Sequence, residues 1–178
     1  MIIALAGRRV DPQDAKEIRF PLQNVDLVRT RLRALFQDEH ATTLVSSAAC
    51  GADLIALAVA AGLGIRASVI LPFERSRFRQ TSVTDRPGEW GPLFDRILDD
   101  VSAAGDLLIL NPPPGERDYS EANFVILDKA VELSKASNQP LMAVVVWDAV
   151  SRGDRDLTEE FRTEARIRAL AIKEILTL

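Results

Sequence analysis

Five short apolar runs recur along the chain, each bounded by glycine, proline or polar residues. Continuous apolar runs of about four to eight residues that end at a turn are typical of strands buried on both faces of a parallel sheet. The first run follows Met1 directly, and the last ends at Trp147. The pattern predicts strands near residues 2–6, 42–46, 66–71, 106–110 and 141–147.

Between these runs the apolar positions recur at intervals of three and four residues, which is the spacing of an amphipathic helix. Asn24 is a candidate N-cap for the first helix, and Ser120 is one for the fourth. The segments 72–80 and 81–92 are predicted to be loops, and residues 174–178 fit either a short edge strand or a helix end. The predicted helices cover 24–38, 52–61, 93–103, about 120–137 and about 157–172.

This alternation of strands and helices predicts one α/β domain over residues 1–178. The expected fold is a three-layer, Rossmann-like, doubly wound parallel sheet of about five strands in the order 3-2-1-4-5. The topological switch point, where ligands bind in open α/β sheets, would then lie between the first and fourth strands. It would bring together Gly7–Arg9, Ser46–Ser47 and Tyr119–Asn123.

Composition and charge narrow the classes of function. The 178 residues are 47% hydrophobic and carry a net charge of −4, which is typical of a globular protein and disfavours a surface for duplex nucleic acid. The single cysteine, Cys50, cannot form an internal disulfide, as expected in the cytoplasm. The chain enters its first strand without a basic leader and has no long apolar run, so we expect neither a signal peptide nor a membrane anchor.

The most informative stretch runs from Leu44 to Pro72 and has the pattern strand, turn, helix, glycine stop, strand. Backbone N–H groups in a turn of small residues can approach a bound anion, and the positive end of the helix over 52–61 adds to the attraction. Asp53, in the first helical turn, can cap free N–H groups or accept from a ribose hydroxyl. The turn consists of Ser46, Ser47, Ala48, Ala49, Cys50 and Gly51.

Basic residues follow the first strand. Gly7 ends that strand, and Arg8 and Arg9 come next, so both arginines are expected at the carboxyl edge of the sheet. Guanidinium groups at that edge suit a phosphate, because they can donate two parallel hydrogen bonds to it. A solvated pair of loop arginines is the alternative interpretation.

Further candidates for the same edge follow the third and fourth strands. Arginines alternate with an aromatic residue in the segment 72–80, a pattern that could clamp a phosphate and stack a base, or that could form a mobile basic loop. Side chains in the first turn of the fourth helix can reach a ligand at the strand edge. The candidates are Phe73, Arg75, Arg77, Tyr119, Ser120 and Asn123.

Several common motifs are absent from the sequence. No GxGxxG follows the first strand and there is no GxxxxGK[ST], which disfavours an ordinary dinucleotide dehydrogenase or a P-loop NTPase. There is no HExxH and no Cys/His cluster, so we expect no metal and no cofactor. Cys50 lies near a helix start without a histidine partner, which favours a buried cysteine over a nucleophile.

The sequence AGRR after strand one, together with VSSAACGADLIALAVAAGLGI and VILP across strands two and three, resembles the SLOG superfamily. That group joins the Rossmann domain of the Smf/DNA-processing-protein-A proteins to the Lonely-guy phosphoribohydrolases. Its Gly-Ser-Arg turn is similar to Gly7–Arg9, and its Ser-Gly-small-x-Gly-[Ile/Ala]-Asp turn is similar to Ser46–Asp53. The resemblance covers about the first 72 residues and implies a Rossmann-like fold that binds nucleotides, nucleotide-derived signals or single-stranded DNA.

Two departures from the family pattern bear on activity. Ser47 stands where the family often has glycine, and the phosphoribohydrolase turn PGGxGTxxE is not present. Its nearest counterpart, Pro113–Arg117, lacks the second glycine and the Gly-Thr pair. Glu121, at the start of the fourth helix, is the remaining weak candidate for a catalytic carboxylate.

Three functions therefore compete. The first is a nucleotide-binding, sensory signalling module without turnover, whose ligand is a small nucleotide or an ADP-ribose-like molecule held by its phosphates. The second is a nucleotide N-glycosidic hydrolase in which Glu121 or Asp53 stabilises an oxocarbenium-like ribose. The third, a single-stranded DNA-binding protein, is disfavoured by the acidic composition.

The helix over 52–61 is almost wholly apolar, so it is either buried on all sides or packed against another subunit. A homodimer is the expected state, as is usual among the proteins that the sequence resembles.

Overall fold

A computed structural model of the chain describes residues 1–110 and 118–178. It confirms the α/β class: a parallel sheet lies between two layers of helices. The strands are β1 Ile2–Gly7, β2 Thr43–Ser46, β3 Arg66–Leu71, β4 Leu107–Ile109, β5 Leu141–Trp147 and β6 Ala171–Leu176. The helices are α1 Val25–Asp38, α2 Ala52–Leu63, α3 Arg75–Ser82, α4 Trp90–Ala103, α5 Asp118–Ser137 and α6 Leu157–Ile167, and a single 3-10 turn, Leu22–Asn24, precedes α1.

The strand order is β4-β3-β2-β1-β5-β6, so the expected order 3-2-1-4-5 was wrong. Strand β4 pairs with β3 in the register Ile70↔Leu108, while β5 occupies the place beside β1 in the register Ile3↔Met142. The reason is the side on which each connecting helix lies. Right-handed crossovers through helices on one face keep moving the chain in one direction, and only a helix on the other face reverses it.

Helices α1, α2 and α4 share one core with one face of the sheet, and α5 and α6 share a second core with the opposite face. Because α4 lies on the same face as α2, β4 continues outward beyond β3. The chain changes face only at α5, which returns it to the free side of β1. The topological switch point therefore lies between β1 and β5, and not beside the fourth strand.

Two other segments differ from the expected elements. The last helix ends at Ile167 and not near 172, because the chain turns through Ala169 at a φ of 55° and enters β6, a sixth strand that pairs with β5. The segment predicted as a basic loop contains the helix α3. The Glu74 carboxylate caps it by accepting from the backbone N–H groups of Ser76 and Arg77.

Helix α2 is buried by its own chain. Residues on nearly every side of the helix are buried, and they pack against α1, α4 and the sheet. The sequence left open whether this helix is buried within the subunit or packs against another one, and the structure shows burial within the subunit. The described residues contain no helix with both the length and the apolar character needed to cross a membrane.

Candidate functional site

A cavity of about 520 Å³ opens at the carboxyl ends of β1 and β5, the switch point of the sheet. Its walls come from the loop after β1, the turn between β2 and α2, the second half of α3, the first turns of α5, and the loop between β5 and α6. We call it the switch-point cavity. A second, outer cavity of about 660 Å³ adjoins it, and Thr81, Tyr119 and Leu157 line both.

The structure divides the sequence candidates into three groups. Those that line the switch-point cavity are Gly7, Arg8, Arg9, Ser47, Asp53, Tyr119 and Asn123. Those that line the outer cavity are Phe73, Arg77, Ser120 and again Tyr119. Those that line neither are Ser46, Ala48, Gly51, Arg75 and Glu121. The stretch Pro113–Arg117, compared above with the phosphoribohydrolase turn, lies outside the described residues.

Arg8 is only 3% exposed, and its guanidinium is occupied by the protein itself. It donates two hydrogen bonds to Asp156, at 2.5 and 2.8 Å, and one from Nε to Asp148 at 3.0 Å. A fourth bond goes to the Val150 carbonyl. Burial opposes its charge, but these two carboxylates outweigh it and raise the pKa of Arg8. Arg8 was expected to bind an anion directly. In the structure it has a different role, because its hydrogen bonds join the end of β1 to the β5–α6 loop.

Arg9 keeps part of its guanidinium unused. Its Nη1 atom donates to both oxygens of Asp85 and to the Thr81 carbonyl, while no described residue accepts from Nε or Nη2. The side chain is about one-third exposed, 29%, and lines the switch-point cavity. Of the two adjacent arginines, Arg9 is therefore the one with donors left for a ligand.

The turn before α2 does not form an open nest of amides. The N–H of Cys50 donates to the Ser82 carbonyl at 2.9 Å, and that of Ala52 donates to the Arg8 carbonyl at 3.1 Å. Gly51, at a φ of 93°, lies so close to the loop after β1 that an added Cβ would be 2.7 Å from the Val10 nitrogen. The glycine is thus required by the approach of two protein segments, whereas the sequence had suggested the approach of an anion.

Asp53 is the buried acid of the switch-point cavity. It is 6% exposed; Oδ2 accepts from the Ala49 N–H at 3.2 Å, and Oδ1 has no hydrogen-bond partner among the described residues. Burial raises the pKa of Asp53 to about 7, against the opposing effects of the Ala49 hydrogen bond and of the Arg9 charge. One oxygen of this buried carboxyl therefore has no hydrogen bond within the described part of the chain.

Aromatic side chains lie where the two cavities adjoin. The rings of Phe73 and Tyr119 meet edge to face, with centroids 5.5 Å apart, and the Tyr119 hydroxyl lies 3.0 Å from Ser82 Oγ. The Arg77 guanidinium covers Phe73 at 4.2 Å from the ring centroid. Asn123, 9% exposed, donates to the Leu157 carbonyl and so joins α5 to the start of α6.

The remaining candidates have structural surroundings. Ser46 and Ala48 are fully buried, and Ser46 Oγ has no hydrogen-bond partner in the described part of the chain. Arg75 forms a salt bridge with Asp99 at 2.6 Å, on the side of α3 that faces α4. Glu121 is exposed and lines neither cavity, so it would not contact a ligand bound in either of them.

Sequence reasoning did not single out several cations that line the switch-point cavity. Arg152 matters most, because residues 1–110 and 118–178 offer it no salt-bridge partner, and loss of solvent and the charge of Arg8 lower its pKa. It follows β5, so the rule that ligands bind at the carboxyl ends of strands could have identified it. The cations missed are Lys16, Arg19, Arg86, Arg152 and Arg155.

Two kinds of chemistry receive no support from the described residues. Cys50 is fully buried and burial raises the pKa of its thiol to about 12, so it has no nucleophilic character at neutral pH. Within the same residues, no group of three or more histidine, cysteine or acidic side chains is arranged to hold a metal ion.

Comparison with known protein families finds no family model that matches this chain, and comparison with curated proteins finds no match either.

Proposed function

We propose that the chain is a nucleotide-binding module of the sensory type, and that the switch-point cavity holds a small nucleotide or an ADP-ribose-like ligand without turning it over. One observation carries the proposal. The same cavity is lined by arginines with donors that no described residue accepts from and by a buried carboxyl, and its volume of about 520 Å³ lies within the range of small-molecule sites.

The anionic part of such a ligand has suitable partners. No described residue accepts from two of the three guanidinium nitrogens of Arg9, and Arg152 has no salt bridge within the same part of the chain. Among the described residues, Arg86 has one salt bridge, to Asp85, at the long distance of 3.4 Å. A phosphate would offset the repulsion that Arg152 experiences from Arg8 and Arg19, and each charge-assisted bond would contribute on the order of 1.5–3 kcal/mol.

The planar part of the ligand also has a suitable surface. Tyr119 lines both cavities, and its ring is held in place by Phe73 and Ser82. Aromatic faces of this kind stack on bases regardless of base identity. The outer cavity would then receive the base, with the phosphates remaining among the arginines.

Calorimetric titration with ATP, ADP, AMP, NAD⁺, ADP-ribose and an oligothymidylate tests this assignment. We expect at least one of the small nucleotides to bind and Arg152→Ala to weaken it about ten- to a hundredfold. Arg96→Ala is the matched control, because Arg96 is exposed on α4 and lines neither cavity. Failure of every small nucleotide to bind, or equal losses in both variants, would contradict the proposal; binding of the oligonucleotide alone would favour the single-stranded DNA alternative.

An N-glycosidic hydrolase is the second candidate function, and the raised pKa of the buried Asp53 carboxyl favours it. A buried carboxyl with a pKa of about 7 can give or take a proton near neutral pH. Asp53 thus replaces Glu121 as the residue to test. Chromatography for free base after incubation with the same nucleotides separates binding from turnover: release that Asp53→Asn abolishes would establish an enzyme.

A homodimer stays a prediction. The apolar surface of α2 is satisfied inside the subunit, so that helix no longer requires a partner. Sedimentation velocity at micromolar concentration decides between a monomer of 19.6 kDa and a particle of twice that mass.

A further inference from the structure

The loop between β1 and the 3-10 turn is fastened at its base. The Oδ2 atom of Asp11 accepts from the backbone N–H groups of Arg19 and Phe20, both at 2.9 Å, and the N–H of Asp11 donates to the Phe20 carbonyl at 2.8 Å. Phe20 is fully buried, and Val10 is 1% exposed. Residues 12–18 therefore project from a closed base as a compact surface loop, which we call the 12–18 loop.

The base of the loop is also tied to the wall of the switch-point cavity. Arg19 donates to Asp148 at 2.7 Å and to the Val150 carbonyl at 3.1 Å, so it joins the base to the β5–α6 loop. The same two residues accept hydrogen bonds from Arg8. The base thus has a fixed position beside the cavity, as the hinge of a moving loop requires.

The tip of the loop has few bonds to the rest of the protein. Apart from the half-buried Ala15, the residues from Pro12 to Ile18 are exposed. Ala15 donates to the Pro12 carbonyl at 3.2 Å, and no other backbone N–H of the tip has an acceptor among the residues that the structure describes. A segment with so few buried contacts and backbone hydrogen bonds changes its conformation at little cost in free energy.

The tip brings one cation without a partner to the cavity. The tip residues that line the switch-point cavity are Pro12, Ala15, Lys16 and Glu17. Arg19 donates to Glu17 at 2.6 Å and offsets its charge, whereas Lys16 has no hydrogen bond or salt bridge with any described residue. An ammonium group beside the arginines of this cavity is repelled by them, and an anion placed between them makes the interaction attractive.

We propose that the 12–18 loop is a lid over the switch-point cavity, and that Lys16 binds the anionic part of the ligand when the lid closes. This inference rests on the proposed function and adds a step to it. The ligand enters while the tip is open, and closure then brings the Lys16 ammonium to its phosphates. Because a closed lid must open again before the ligand leaves, closure raises affinity mainly by slowing dissociation.

Digestion with a lysine-specific endoprotease tests the lid. Of the four lysines in the chain, Lys129 and Lys135 lie on α5 and Lys173 lies on β6, so Lys16 is the one in a loop. We expect the folded chain to be cut first after Lys16, which yields a fragment of residues 17–178. Saturating ATP, ADP, AMP, NAD⁺ or ADP-ribose, whichever binds, should slow that cut at least about fivefold, since proteolysis follows the population of the open form.

Calorimetry and stopped-flow measurements on Lys16 variants test the role of the charge. Lys16→Ala should weaken binding of the same nucleotide about three- to tenfold, mainly through faster dissociation, and Lys16→Arg should stay within about twofold of the wild type. Both variants should unfold at the wild-type urea concentration, because Lys16 has no partner in the described part of the unliganded chain.

Lys135→Ala is the matched control, since Lys135 is an exposed lysine on α5 that lines neither cavity, and it should bind as the wild type does. A nucleotide that binds without slowing the cut after Lys16 would overturn the lid while leaving nucleotide binding in place. Equal affinities of Lys16→Ala and Lys135→Ala would overturn it too, as would a free chain that resists the protease at Lys16. Failure of every nucleotide to bind would remove the proposed function itself, and this inference with it.

Discussion

Replacement of Asp53 by asparagine should make the unliganded protein more stable at alkaline pH. The asparagine oxygen can accept from the Ala49 N–H as Oδ2 does now, and the amide group takes the position of the unpartnered Oδ1. The substitution therefore preserves the size and the existing hydrogen bond of the side chain. What it removes is the negative charge that the wild-type chain must bury at high pH.

The size of the effect follows from the pKa. Burial raises the pKa of Asp53 from 3.8, its ordinary value, to about 7 in the folded chain. Between these two values the folded state binds a proton that the unfolded state has lost, so the free energy of unfolding falls as pH rises through this interval. From pH 5 to pH 8 the wild type should lose about 2.5 kcal/mol through this one group. The loss levels off above the folded pKa.

Urea denaturation at pH 5, 6, 7 and 8 measures the effect. All other titrating groups are common to both proteins, so the difference between their unfolding free energies isolates Asp53. That difference should grow in favour of Asp53→Asn by about 2.5 kcal/mol across the series, whereas the control Asp38→Asn, at an exposed aspartate on α1, should follow the wild type. Parallel pH curves for the wild type and Asp53→Asn would refute the reasoning, because they would mean that the carboxyl is solvated in the folded protein.

Three further predictions concern the frame of the cavity. Arg8→Met should lower the free energy of unfolding at pH 7 by about 3–5 kcal/mol, because it removes from the buried Asp156 carboxylate the cation that pairs with it and leaves Asp148 with Arg19 alone. Since Arg8 holds the pKa of Asp156 below its ordinary value, the wild-type advantage should disappear in acid, as pH falls below about 4. Gly51→Ala should destabilise the protein more than Gly105→Ala, since both glycines have positive φ but only Gly51 has backbone atoms within 3 Å of an added Cβ; equal losses in urea denaturation would contradict this. Cys50, buried and with its pKa raised to about 12, should resist iodoacetamide at pH 8 in the folded chain and react in urea, as mass spectrometry of the alkylated protein would show.

The fold class followed from the sequence because its signal is local. The predicted strand over 66–71 coincides with β3, and the predicted helix over 24–38 differs from α1 by a single residue. The strand order did not follow, because it depends on the face of the sheet to which each connecting helix packs. An amphipathic helix such as α4 presents an apolar side in either case, so its periodicity carries no information about that choice.

Part of the candidate site could also be predicted from the sequence. The rule that ligands bind at strand ends placed Arg9, Asp53 and Tyr119, which the structure brings to one cavity. The hydrogen-bond and salt-bridge partners of each side chain could not be predicted from the sequence. Arg8 and Arg9 are adjacent in sequence and chemically identical. Only the carboxylates from the β5–α6 loop make the first a structural residue, while the second has donors that no described residue accepts from.

The salt bridge from Arg8 to Asp148 joins residues 140 positions apart, which has a consequence for the order in which the chain folds. A chain folded only as far as β4 leaves β1 with a single neighbouring strand and leaves Arg8 without either carboxylate. The walls of the cavity come from both ends of the chain, so the cavity forms after the most distant contacts, the slowest step for a topology of this kind. A partly synthesised or misfolded chain therefore has no site, and occupancy by a ligand would report that the whole domain has been completed.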